Sequence, residues 1–247
     1  MSSNWKESIR QRYGSGLLRG LVALILALLS GGVLADQPPT DPARFADEIA
    51  SLEKHDAATP PPQNGILFIG SSNIRKWPVA ESFPGMPTIN HGFGGSQLSD
   101  SVFYFDRLVT PAHPKLVVLH AGGNDLSAGR SPAQITADLK EFISKLHTAL
   151  PRTRLIFVGC IPAPVRVNLK DKFHETSKLI HELVRSDRQV TFLDPEKPLL
   201  SPQGEIRPEL YVEDHLHLNA QGYEILTKFV LSDLKRAAKS AGVEKTH

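Results

Sequence analysis

The chain has 247 residues, with 28 Lys+Arg against 26 Asp+Glu, 40% hydrophobic residues, 18 Gly, 19 Pro and a single Cys. Those proportions exclude a disulfide scaffold, a collagen-like or low-complexity chain and a disordered one. A formal charge of +2, with no Lys/Arg run interleaved with aromatics, gives no general pull toward polyanions, so nucleic acid is not an expected partner.

In chain order, a basic lead with Lys6, Arg10, Arg12 and Arg19 comes first. An uncharged stretch over residues 20–35 follows, ending in Val33-Leu34-Ala35. This is the layout of a secretory signal cleaved after Ala35, which predicts a periplasmic or secreted protein. The alternative is a retained membrane anchor, since the 16 residues of 20–35 fall just short of the roughly 20 that span a bilayer. Loss of residues 1–35 would remove the four basic residues and Glu7 and leave a charge of −1, so the basicity belongs to the leader. A lone thiol cannot make an internal disulfide after export, and Cys160, in an apolar run, reads as a small core hydrophobe rather than a nucleophile.

Residues 36–62, which include Pro60-Pro61-Pro62 and a short helical pattern over 45–52, read as a surface lead-in. The domain proper is placed at 63–247. Apolar runs at 66–69, 87–90, 115–120, 155–160 and 190–193 read as strands buried on both faces, the mark of a parallel sheet covered by helices. Helical periodicity is clearest over 131–150, where Ile135, Leu139, Phe142, Ile143, Leu146 and Leu150 share a face behind a Ser131-Pro132 start. Further helices are predicted over 169–185 and 219–239. The alternation gives a three-layer α/β/α sandwich on a five-stranded parallel sheet, flavodoxin-like.

Ligands of such sheets bind beyond the carboxyl ends of the strands, so the residues there carry the functional argument. The first strand runs into Gly70-Ser71-Ser72-Asn73, where a serine is either an exposed nucleophile beside backbone amides or a helix cap. After the second comes His91-Gly92-Phe93-Gly94-Gly95-Ser96, which lacks dinucleotide spacing and alone reads as a tight turn. The third ends in Gly122-Gly123-Asn124-Asp125, a turn whose carboxamide is also suited to donate to an oxyanion. Before the last helix stand Asp214-His215-Leu216-His217. A carboxylate three residues ahead of an imidazole can fix its tautomer as a base, while His215 and His217 are alternatively metal ligands that lack a third partner.

Taken together, these four clusters resemble the SGNH hydrolases, also called GDSL esterases and lipases. By that resemblance Ser72 is the nucleophile and His217 and Asp214 complete a triad. The oxyanion donors are then the N–H groups of Ser72 and Gly95 and the Asn124 amide, and no metal or organic cofactor is needed. The resemblance covers residues 65–230. Ser71 stands where the family has Asp, and it is expected to lend a hydrogen bond or cap the helix. His91 and His120 are placed to line the pocket, while Trp77, Phe93 and Phe103 read as packing. The implied activity is hydrolysis of short acyl or acetyl esters. Alternatives are a carbohydrate O-acetylesterase or acetyltransferase on envelope or plant-wall glycans, a lysophospholipase or thioesterase, and a non-catalytic binding protein on the same fold.

Overall fold

The computed structural model describes residues 39–243, so the leader read at residues 1–35 lies outside the described residues. Five strands, β1 (Ile66–Gly70), β2 (Thr88–Gly92), β3 (Leu116–His120), β4 (Arg154–Val158) and β5 (Val190–Leu193), form one parallel sheet in the order β2-β1-β3-β4-β5. The helices are α1 (Ala46–Ala58), α2 (Ser72–Arg75), α3 (Val79–Ser82), α4 (Leu98–Phe103), α5 (Phe105–Leu108), α6 (Gly123–Ser127), α7 (Pro132–Ala149), α8 (Lys170–Val184), α9 (Glu196–Leu199) and α10 (Ala220–Ala241). This is the three-layer α/β/α sandwich read from the sequence, with the flavodoxin-like strand order.

Strand residues alternate between two cores, because successive side chains leave a strand on opposite faces. Leu67, Ile69, Val117, Leu119, Leu155 and Phe157 pack with the apolar stripes of α7 and α8, including Leu139, Phe142, Leu146 and Ile180. Ile66, Phe68, Leu116, Val118, Ile156 and Val158 pack instead with Trp77, Phe83 and the Tyr223, Leu226, Val230 and Leu234 stripe of α10. The start of α7 is set by Ser131, whose hydroxyl accepts the Gln134 N–H at 3.2 Å ahead of Pro132.

Some boundaries differ from the sequence reading. β4 stops at Val158, so Cys160 lies beyond the strand, although it is buried as expected. β2 runs on to Gly92, and its half-buried Thr88 and Asn90 reflect its place at the sheet edge. Residues 164–169 form a separate 3₁₀ turn ahead of α8. Trp77 and Phe93 are core residues, but Phe103 is 62% exposed, touching Tyr104 edge-on at 4.9 Å instead of filling the interior.

The 36–62 segment is more than a surface lead-in. Phe45 and Ile49 are buried in the α7/α8-side core, Phe45 meeting Phe93 edge-on at 5.1 Å. Tyr104 donates its hydroxyl proton to the Pro42 carbonyl at 2.8 Å. Farther along, the Glu48 carboxylate accepts the Gly94 N–H at 3.1 Å and pairs with Arg75 at 2.9 Å, so α1 holds the loop after β2.

In register, Gly70 pairs with Gly92 on one side and His120 on the other, so β1, β2 and β3 finish level at one edge of the sheet. Gly70 sits at φ 131°, and a Cβ there would stand 2.0 Å from the His120 carbonyl oxygen. Only glycine permits both that angle and that approach. Gly70→Ala therefore lowers the free energy of unfolding by about 3 kcal/mol, measured as a lower urea midpoint at unchanged slope.

Candidate active site

The turn out of β1 is held by the Ser71 N–H, which donates to the His120 carbonyl at 3.0 Å. Ser71 takes the cap position of α2, one of the two roles expected for it, but its hydroxyl makes no capping bond. Ser72 is the first residue of α2 and is 8% exposed. Its Oγ lies 2.8 Å from His217 Nε2. On the other side of the ring, His217 Nδ1 is 2.6 Å from Asp214 Oδ2.

The Asp214 carboxylate also accepts the N–H groups of Leu216 and His217, both at 2.9 Å. Although desolvation works upward, these bonds together with the one from the His217 ring hold its carboxyl well below the usual carboxylate range. An ionised carboxylate only accepts, so Nδ1 carries the ring proton and the Nε2 lone pair faces the Ser72 hydroxyl.

The loop bearing Asp214 and His217 is anchored at its base. Tyr211 and Leu218 bridge across it, Tyr211 donates its hydroxyl proton to the Pro162 carbonyl, and Asn219 caps α10 by accepting the Gly222 N–H at 3.0 Å. One turn into α10, the Tyr223 hydroxyl donates to the Asn73 carbonyl at 2.9 Å and so ties this helix to the turn that carries Ser72. His215 adopts a left-handed φ of 53°, and its carbonyl accepts the Val165 N–H. Among the described residues no group of three or more His, Cys, Asp and Glu side chains is arranged to hold a metal.

Three candidate donor groups stand in the turns that follow β1, β2 and β3, strands that end level with one another. No acceptor among the described residues takes the N–H of Ser72 or of Gly95. The Gly95 loop is tied to the end of β1 by the Phe93 N–H, which donates to the Gly70 carbonyl at 2.9 Å. Asn124, in α6, donates one Nδ2 hydrogen to the Ser96 carbonyl at 2.9 Å, which places its carboxamide against the same loop.

Beneath these loops lie buried polar pins. Asp125 accepts the Leu98 N–H at 3.1 Å and the Gly122 N–H at 3.1 Å and meets Arg130 at 3.3 Å, joining the loops after β2 and β3. Burial pushes its carboxyl up to about 6 while the Leu98 N–H and Arg130 pull the other way. His91 and His120, expected to line the pocket, are instead buried supports. His91 Nδ1 donates to the Leu108 carbonyl at 2.9 Å, and His120 Nδ1 lies between the Val158 and Gly159 carbonyls at 3.1 and 3.0 Å. Burial also drives the Cys160 thiol far above the usual range, so it is inert as a nucleophile.

Two contacts were not foreseen. Glu48 on the Gly94 N–H comes from a segment set outside the domain, and nothing in its local sequence signals it. Arg166 donates to Asn124 Oδ1 at 2.5 Å from the 164–169 turn after β4. The rule that led to the first three strand ends would have found it at the fourth.

An open α/β/α sandwich with a Ser-His-Asp hydrogen-bond chain and free amide donors on its carboxyl edge belongs among the acyl hydrolase folds. The model of the GDSL-like Lipase/Acylhydrolase family matches residues 73–225, and the chain belongs to that family. Gly95, Asn124, Asp214 and His217 fall inside the match, and Ser72 immediately precedes it. Among solved structures, a Streptococcus pneumonia protein superposes with a TM-score of 0.68 at 22% identity, over 86% of this chain and 99% of that one. A GDSL-like lipase from Bacteroides thetaiotaomicron gives 0.63 at 20% identity, over 80% and 98%. A carbohydrate esterase family 3 protein from Talaromyces cellulolyticus gives 0.58 at 18% identity, over 70% and 97%. No curated protein matches the chain.

The burial of His120 has a measurable consequence. Desolvation pushes its imidazole down from 6.5 to about 4, against the pull of the two carbonyls. Between those values the unfolded chain binds a proton that the folded one refuses, so stability present above pH 6.5 is lost as pH falls toward 4, by about 3 kcal/mol. Urea unfolding of the native protein and of His120→Gln at both pH values checks this: the substitution removes that share of the acid sensitivity.

Proposed function

We propose that the protein is an exported serine esterase acting on short-chain acyl or acetyl esters. The observation that carries the reading is the unbroken chain from Ser72 Oγ through the His217 ring to Asp214, at 2.8 and 2.6 Å. As Ser72 Oγ attacks the ester carbonyl carbon, its proton passes to His217 Nε2. Asp214 stabilises the imidazolium that results. The carbonyl oxygen, now negative, is taken by the N–H groups of Ser72 and Gly95 and by the second Nδ2 hydrogen of Asn124. Collapse of this adduct expels the alkoxide, which leaves with the proton from His217. Water then repeats the sequence on the acyl-Ser72 ester, releasing the acid and restoring the hydroxyl.

Small acyl groups are favoured over lipids because the sequence holds no long apolar insertion to form a lipid-covering lid. Acetylated carbohydrate is the substrate class we place first. Structures of this fold include proteins described as an acetyl esterase and an acetyl-xylooligosaccharide esterase. The basic lead and apolar run of residues 1–35 support export.

Ser72→Ala abolishes labelling by a fluorophosphonate probe and lowers kcat on p-nitrophenyl acetate by on the order of 10⁶-fold. Turnover that survives in that variant would take the nucleophile's role away from Ser72, and a native protein that neither takes the probe nor hydrolyses the ester would replace the esterase by a binding protein. Acetate release from acetylated xylo-oligosaccharide, compared with butyrate and longer p-nitrophenyl esters, ranks the substrate classes. N-terminal sequencing of the exported protein is expected to begin at Asp36.

A further inference from the structure

We infer that Arg166 is a positioning residue that holds the Asn124 carboxamide in the one orientation able to serve an oxyanion. The inference rests on the esterase reading above and adds to it a residue outside the four blocks that define the resemblance.

Arg166 lies in the 164–169 turn, where its own backbone leaves the helical region at φ −119° and ψ 16°. Its Nη2 donates to Asn124 Oδ1 at 2.5 Å. The neighbouring residue of α6 is Gly123, and a Cβ there would stand 2.5 Å from Arg166 Nη1, so the guanidinium approaches the first turn of α6 through space that a side chain would otherwise take up.

A guanidinium has donors and no acceptor. The amide atom facing it must be oxygen, which turns Nδ2 toward the loop after β2, where the Ser96 carbonyl takes one hydrogen at 2.9 Å. A flipped amide would set its NH₂ against the guanidinium and its oxygen against a carbonyl, and both contacts repel. Held from both ends, Asn124 keeps one Nδ2 hydrogen with no acceptor among the described residues, free for the substrate. The cation on Oδ1 also polarises the amide and strengthens that remaining donor.

Arg166 is an expensive way to hold an amide. No carboxylate among the described residues lies within ion-pair distance of it, and burial lowers its pKa while Cys160 and Asp125 work in the other direction. A half-buried cation spent on a neutral side chain contributes little to folding. Its placement makes sense where negative charge develops nearby during reaction.

The test is a double-mutant cycle on the full-length protein with p-nitrophenyl acetate, using Arg166→Ala and Asn124→Ala singly and together. Arg166→Ala is expected to lower kcat about 30-fold with KM within about twofold, and Asn124→Ala about 10²-fold or more. In the Asn124→Ala background, removing Arg166 is expected to cost less than twofold, because Arg166 acts through Asn124. Arg166→Lys gives the same cycle should the alanine variant fail to fold, and thermal unfolding reports the fold of each. Losses that multiply in the double variant, or a raised KM at unchanged kcat, overturn the inference and make Arg166 an independent or substrate-binding group. Failure of the esterase reading is seen separately, as turnover that survives in Ser72→Ala.

Discussion

The level ending of three adjacent parallel strands is the constraint on which the site depends. With Gly70, Gly92 and His120 in one register row, the chain leaves the sheet at neighbouring points, and the loops carrying Ser72, Gly95 and Asn124 rise side by side. The His217 imidazole that meets Ser72 comes from 145 positions farther along, and the Tyr223 bond to the Asn73 carbonyl ties α10 to the serine's own turn. Side chains far apart in sequence therefore meet through backbone geometry, without a long flexible arm.

Much of this was legible in the sequence because its signals are local. Runs such as 116–119 are apolar at every position and must be buried on both faces, which implies a covered parallel sheet. The Ser131-Pro132 start and the stripe from Ile135 to Leu146 describe α7 to within a residue. Ser72, Gly95, Asn124, Asp214 and His217 could be picked out because each stands at a strand end or a helix start, where a fold of this class presents its chemistry.

What escaped was decided by tertiary contact. Nothing in the neighbours of Glu48 says that its carboxylate meets the Gly94 N–H, and the spacing of His91 and His120 cannot distinguish a pocket wall from a buried pin. Their burial follows from which carbonyls the fold leaves without partners, a property of the assembled loops. Ser71 shows the opposite failure: its position is that of a cap, but its own carbonyl takes the Ile74 and Arg75 N–H groups, and the hydroxyl is left out of the cap.

The contribution of α1 changes where the folding unit begins. Phe45 and Ile49 fill the core beside Phe93, and Glu48 steadies the glycine loop after β2. A chain trimmed to the motif-bearing region from residue 63 would keep every named functional side chain while baring an aromatic surface next to its most delicate loop. For this protein, the stretch that holds the candidate site's side chains and the stretch that completes the hydrophobic core are different lengths of polypeptide.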